Sequence, residues 1–240
     1  MSKEIITNTE SEEYKKARYH YLLQVIFGET LAIDYCNVIA SFAPNQNAKD
    51  FLLKQQADED KHLEALTDYM NIPSRPDVKV SKHMGAVHKV MHKTLEEKDY
   101  AGSILIQNFI AEGLVIILLG EMSKHGDATL AELCDSINRD EVSHVQFGVS
   151  ELKRMLSEHN GEGAKKLNRR LATLQRKVLF HGVLLFADLA LEAKDLGIKW
   201  DDLADKVLED HYARIKEADF HIPFYDKIML KVAIWFFVIV

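Results

Sequence analysis

The sequence predicts an all-α protein: a four-helix bundle with a long link between its second and third helices and further helices after the fourth. Three observations carry this. Four prolines and eleven glycines in 240 residues are few, which favours long helices over a turn-rich β fold. Two Glu-x-x-His patterns, Glu59/His62 and Glu141/His144, each put a carboxylate and an imidazole on one helix face, because side chains three apart stand together. Each pattern follows a helix with a single glutamate on an otherwise apolar face, Glu29 in the first case and Glu112 in the second.

The first helix is expected over residues 11–41, where Leu22, Ile26, Glu29, Ile33, Cys36 and Ala40 form one stripe at helical spacing. Pro44-Asn45-Gln46-Asn47 breaks it. The second, over 48–69, carries Leu52, Gln55, Glu59, His62 and Leu66 on one face. Pro73 and Pro76 open the long link, within which 81–97 reads as a helix. The third helix spans 100–124. Gly126-Asp127 ends it and caps a fourth that runs to 158. Beyond the glycines at 161 and 163, a fifth helix over 164–196 has Leu171, Leu174, Val178, Leu185 and Leu189 as its core stripe. Trp200-Asp201-Asp202 starts a sixth, Pro223 interrupts, and a last helix closes the chain.

Distances along the chain bring the four donor-bearing segments to one level. Antiparallel helices match heights at residues equally far from their turn. The midpoint between Glu29 and the Glu59/His62 pair falls at Pro44-Asn45, and that between Glu112 and the Glu141/His144 pair falls at Gly126-Asp127. Each hairpin thus holds its three donors about fifteen residues, or ~22 Å, from its turn. Four carboxylates and two imidazoles match two divalent cations, and this donor mix suits iron or manganese with positions left for dioxygen. Buried and unpaired, four glutamates would be costly, which favours a metal explanation. Asp140 is placed to orient His62 and Asp58 to orient His144, since ligating imidazoles donate their second N–H to a carboxylate; exposed helical aspartates are the other reading. Cys36 and Cys134 are expected to pack as small apolar residues, and His83, His88 and His92 to lie on the surface.

Composition excludes several classes. A net charge of −7 with no basic run argues against nucleic acid. Two cysteines without a C-x-x-C pattern argue against a disulfide framework or a zinc ribbon. The polar, acidic start has no apolar signal core, so a cytoplasmic protein is expected. Residues 101–119 are apolar and long enough to span a bilayer, but Gln107, Asn108 and Glu112 make a buried bundle helix the better reading. The apolar tail over 228–240 is too short to span and reads as a docked helix or oligomer contact.

Gly28-Glu29, Leu105-Ile106-Gln107 followed by Glu112, and Glu141-Val142-Ser143-His144-Val145-Gln146-Phe147-Gly148 resemble the ferritin-like diiron proteins. Within that group they are most similar to the cyanobacterial aldehyde-deformylating oxygenases, or aldehyde decarbonylases. The likeness covers most of the chain, which implies one ferritin-like domain over 1–240, with a core bundle over 11–158 and extra helices over 164–240. It implies two iron ions, with manganese or a mixed pair as the variant, held by Glu29, Glu59, His62, Glu112, Glu141 and His144. No catalytic residue beyond these ligands is implied. The implied reaction converts a fatty aldehyde to formate and a hydrocarbon one carbon shorter, using dioxygen and electrons from an external donor such as ferredoxin. Ile26, Ile33, Phe109 and Ile116 are candidates for an acyl channel, the alternative being plain bundle core. Where those enzymes carry tyrosines two turns after the first- and third-helix glutamates, this chain has Cys36, beside Tyr35, and Leu119. Competing functions are a diiron oxygenase of amines or other small metabolites, and a metal-storage or manganese catalase-like protein.

Overall fold

The computed structural model describes residues 11–73, 76 and 81–223, without the side chains of 186–193. Helices make up its regular structure: α1 (Glu12–Ser41), α2 (Gln46–Met70), α3 (Lys82–Glu96), α4 (Tyr100–Ile104), α5 (Glu112–His125), α6 (Ala128–Glu158), α7 (Glu162–Asp195) and α8 (Trp200–Glu217). Short polar side chains start several of them. Ser11 accepts from the Tyr14 N–H, Asn45 from Ala48, Asp99 from Gly102 and Asp127 from Leu130, each satisfying an N–H that the first turn leaves open. Asn71 ends α2 in the left-handed region, at φ 53°.

Hairpins α1–α2 and α5–α6 pack side by side, and α3, the helix of the link, lies against α1, α4 and α7. α8 packs on α5 and α6. The core has two parts. One gathers Cys36, Ile39, Leu52, Leu105, Val149 and Leu152; the other gathers Leu22, Leu66, Leu119, Met122, Leu130 and Cys134. Cys36 and Cys134 are thus small core residues. On α2, α5 and α6 the Glu and His donors fall between the two parts. The helix expected after Pro223, the apolar tail and the Leu189 side chain lie outside the described residues.

One departure matters for function. The third bundle helix is not a continuous α-helix: Leu105–Ala111 is a π-helix joining α4 to α5, and the Glu112 N–H bonds the Gln107 carbonyl. In an α-helix, residues five apart are rotated by about 140°. The wider turn brings Gln107 and Glu112 to one side, so that Gln107 Nε2 donates to Glu112 Oε1 at 2.6 Å. The segment carries Leu105, Ile106, Phe109 and Ile110 as well as Gln107 and Asn108, all buried. An almost uniformly apolar run has no periodicity from which a change of pitch could be read. Two helices, Glu12–Ser41 and Tyr100–His125, are long and apolar enough to cross a membrane. In Tyr100–His125, Gln107, Asn108 and Glu112 are buried within the bundle, where Gln107 Nε2, Asn108 Nδ2 and Glu112 Oε1 have protein partners.

Candidate metal centre

Six side chains meet at the middle of the bundle. Ligand atoms of Glu29, Glu59, His62 and Glu141 lie within 4.8 Å of one another, and so do those of Glu59, Glu112, Glu141 and His144. All six residues are buried, with Glu59, Glu141 and His144 at 0% exposure. Glu59 and Glu141 belong to both groups, which gives the cluster the form of two cation sites sharing two carboxylates. Both imidazoles turn Nδ1 inward. His62 Nδ1 is 3.1 Å from Glu59 Oε2, 3.1 Å from Glu141 Oε1 and 3.6 Å from Glu29 Oε2. His144 Nδ1 is 2.9 Å from Glu141 Oε2 and 3.3 Å from Glu59 Oε1.

The outer nitrogens face the two aspartates. His62 Nε2 is 3.4 Å from Asp140 Oδ2, and His144 Nε2 is 3.7 Å from Asp58 Oδ2. The first is a long hydrogen bond and the second is beyond one. Asp58 is itself held by Lys54 at 2.7 Å and Lys61 at 2.8 Å. Burial raises its carboxyl, but these two ammonium groups outweigh that and bring it down to about 2.

Protonation follows from crowding four carboxylates out of water. Burial raises Glu29 and Glu112, and it raises Glu59 to about 8, with neighbouring carboxylates adding to the effect on Glu59 and Glu112. Burial acts the same way on Glu141, yet hydrogen bonds from His144 and His62 hold it at about 2. Both imidazoles are raised: burial disfavours their charge, but the glutamates around them outweigh it. Without cations the cluster keeps protons in their place. The fit to two divalent ions is good on the donor set, and Oε1 of Glu141, a residue common to both groups, is buried without a directed hydrogen bond among the described residues.

A carboxamide chain that sequence reading left without a role supports the cluster. Gln55 Nε2 donates to Glu59 Oε1 at 3.0 Å and Glu112 Oε1 at 2.8 Å, and Gln55 Oε1 accepts from Asn108 Nδ2 at 2.6 Å. Asn108 Nδ2 also reaches the His144 carbonyl at 3.3 Å. The available signal was an amide at a stripe position, four residues before Glu59 on the same face.

Beside the cluster is a cavity of about 190 Å³ whose wall includes Glu29 and Glu112. Apolar residues of α1, α3, the π-helix, α5, α7 and α8 make up most of the rest. Ile26, Ile33, Phe109 and Ile116, expected to line a channel, are not in its wall. Ile26, Ile33 and Phe109 are packed in the core, and Ile116 borders a separate surface depression. The α1 wall instead includes Val25, Gly28, Ala32 and Tyr35, because the cavity opens on the flank of the glutamate stripe rather than along it. His88 is half-buried rather than simply on the surface: it lines the cavity and pairs with the Tyr35 hydroxyl. His83 is half-buried beside His181, and His92 is exposed near Glu96. At the α8 side the wall carries His211 and Arg214.

Over residues 11–234 the chain matches the family described as long-chain fatty aldehyde decarbonylase. Its fold is similar to that of a solved Synechococcus protein described as having aldehyde deformylating oxidase activity. The TM-score is 0.77 over 94% of this chain and 98% of that one, at 15% sequence identity.

Proposed function

The chain belongs to the long-chain fatty aldehyde decarbonylase family, and on that premise we propose that it converts a fatty aldehyde to formate and a hydrocarbon one carbon shorter at a two-iron centre. Glu29, Glu59, His62, Glu112, Glu141 and His144 would hold the metals. The observation that carries this reading is the continuity of cluster and cavity: Glu29 and Glu112 form part of an otherwise mostly apolar wall. A carbonyl can thus reach the metal-binding carboxylates while its alkyl chain stays out of water. Each methylene so buried contributes ~0.8 kcal/mol to binding.

The balance of the reaction defines what must be supplied: RCHO + O₂ + 4 e⁻ + 4 H⁺ gives RH + HCOOH + H₂O. The bound iron pair would supply reduction of dioxygen, and an external donor such as ferredoxin would supply the electrons. The chain's own part is positional. Gln107 and Gln55 fix Glu112 by hydrogen bonds at 2.6 and 2.8 Å, Asp140 orients His62, and Asp58 faces His144. On the same reading the chain is one cytoplasmic domain over 1–240.

The test is to load the protein with Fe(II), add a reducing system, oxygen and aldehydes from octanal to octadecanal, and quantify formate and hydrocarbon together. Equal amounts of both, absent from the metal-free control, are expected. Iron-loaded protein that yields neither across the series would overturn the assignment.

A further inference from the structure

A second polar site faces the cavity from α8. Arg214 has a side chain only 8% exposed, and His211, one turn before it, is 3% exposed. Both line the cavity. Arg214 pairs with Asp210, whose side chain is 46% exposed, yet among the described residues Arg214 Nε has no hydrogen-bond partner, nor does His211 Nε2. Both side chains pack on Phe109: the guanidinium carbon is 5.8 Å from the ring centroid, and the imidazole meets it edge-on at 5.7 Å. The guanidinium fits because residue 113 is glycine. A Cβ there would lie 2.2 Å from Cζ and 2.3 and 2.4 Å from the two terminal nitrogens.

Two unpaired buried donors, one of them cationic, have no use for an alkyl chain. Burying them beside apolar walls is unfavourable unless a ligand completes their hydrogen bonds. The planar guanidinium matches a carboxylate, which accepts from two of its N–H groups at once, and a neutral His211 carrying its proton on Nε2 adds a donor one helical turn away. Glu29 and Glu112 line the same cavity, so the metal-binding carboxylates are left to the other, neutral end of such a ligand.

We propose that Arg214 and His211 bind the carboxylate of a two-ended ligand, so that the substrate is an aliphatic oxo-acid with an aldehyde at one end and a carboxylate at the other. This rests on the deformylation reading for the aldehyde end but not for the binding of the carboxylate.

Binding and turnover are therefore measured separately. Calorimetric titration of the iron-loaded protein compares ω-hydroxynonanoate with nonanol, the terminal alcohol standing in for the aldehyde. The hydroxy-acid should bind at least about tenfold more tightly than nonanol, which lacks the carboxylate, the usual worth of a hydrogen bond to a charged group. Arg214→Gln should abolish that preference. Gly113→Ala, which leaves Arg214 in the chain but fills the space its guanidinium occupies, should abolish it too and serves if Arg214→Gln does not fold. In turnover, kcat/KM for ω-oxononanoate relative to nonanal should fall about tenfold or more in the same variants. Nonanol binding as tightly as the hydroxy-acid would overturn the proposal, as would a preference that survives both variants. If the hydroxy-acid preference is present and neither aldehyde is turned over, the deformylation reading fails and the carboxylate site stands.

Discussion

Gly148→Ala tests whether the π-helix is locked in place by its contact with α6. In most helix interiors this change is favourable, since alanine has the higher propensity by about 1 kcal/mol. Here a Cβ at 148 would lie 2.7 Å from Asn108 Cβ, 2.9 Å from its carbonyl carbon and 3.1 Å from its oxygen. Two of those atoms are backbone, so no rotamer change relieves the contact; α6 or the π-helix has to move. Overpacking of this kind costs about 1–3 kcal/mol, more than the propensity gain offsets at the upper end. Asn108 is also the residue that holds Gln55 and touches the His144 carbonyl, so the shift should reach the donor set. Urea unfolding followed by circular dichroism should show Gly148→Ala less stable than wild type, and titration should show weaker Fe(II) binding. Gly85→Ala is the control: among the described residues nothing lies within 4 Å of a Cβ there on α3, so a gain of about 0.4–1 kcal/mol is expected. If Gly148→Ala matches Gly85→Ala in stability and binds Fe(II) like wild type, the close approach of Asn108 to α6 is not a structural constraint.

Three further outcomes follow from the same geometry. Glu59→Ala or His62→Ala should lose at least one metal ion per chain while keeping the helical signal; full occupancy measured by plasma emission would remove them from the ligand set. Asp140→Asn should weaken metal affinity about 10–100-fold, and unchanged affinity would leave Asp140 as a surface residue. Burial lowers His211 from 6.5 to about 4. Its neutral form therefore supports the fold fully above pH 6.5, and that support is lost as pH falls towards 4 because the unfolded chain takes up the proton first. At about 1.4 kcal/mol per pH unit, wild type should lose about 3 kcal/mol more than His211→Phe over that window, as read from urea midpoints; parallel losses would place His211 in contact with water.

The parts of the site that were legible in sequence are those fixed by local geometry. Helical pitch puts Glu59 with His62 and Glu141 with His144, and equal distances from Asn45 and Asp127 put the two hairpins in register. Nothing comparable locates the cavity. Ile26 and Ile33 share a stripe with Glu29 and pack inward, at 0% and 4% exposure, while the wall is formed by neighbours about a quarter-turn around α1. That difference depends on where α3, α7 and α8 dock, which no single-helix pattern encodes. The same holds for His88, which reads as one of several polar residues on a link helix until Tyr35 is seen opposite it. Arg214 was hidden for a further reason. In Asp205 to Lys216 charged residues are frequent enough to look like a solvated face, and only the glycine at 113, on another helix, makes room for one of them inside. A glutamate in an apolar stripe is conspicuous because its own helix offers no partner, whereas an arginine among charged neighbours is not. Carboxylates grouped so that they could hold a metal are therefore readable one helix at a time, but a cavity assembled from six elements becomes readable only when their packing is known.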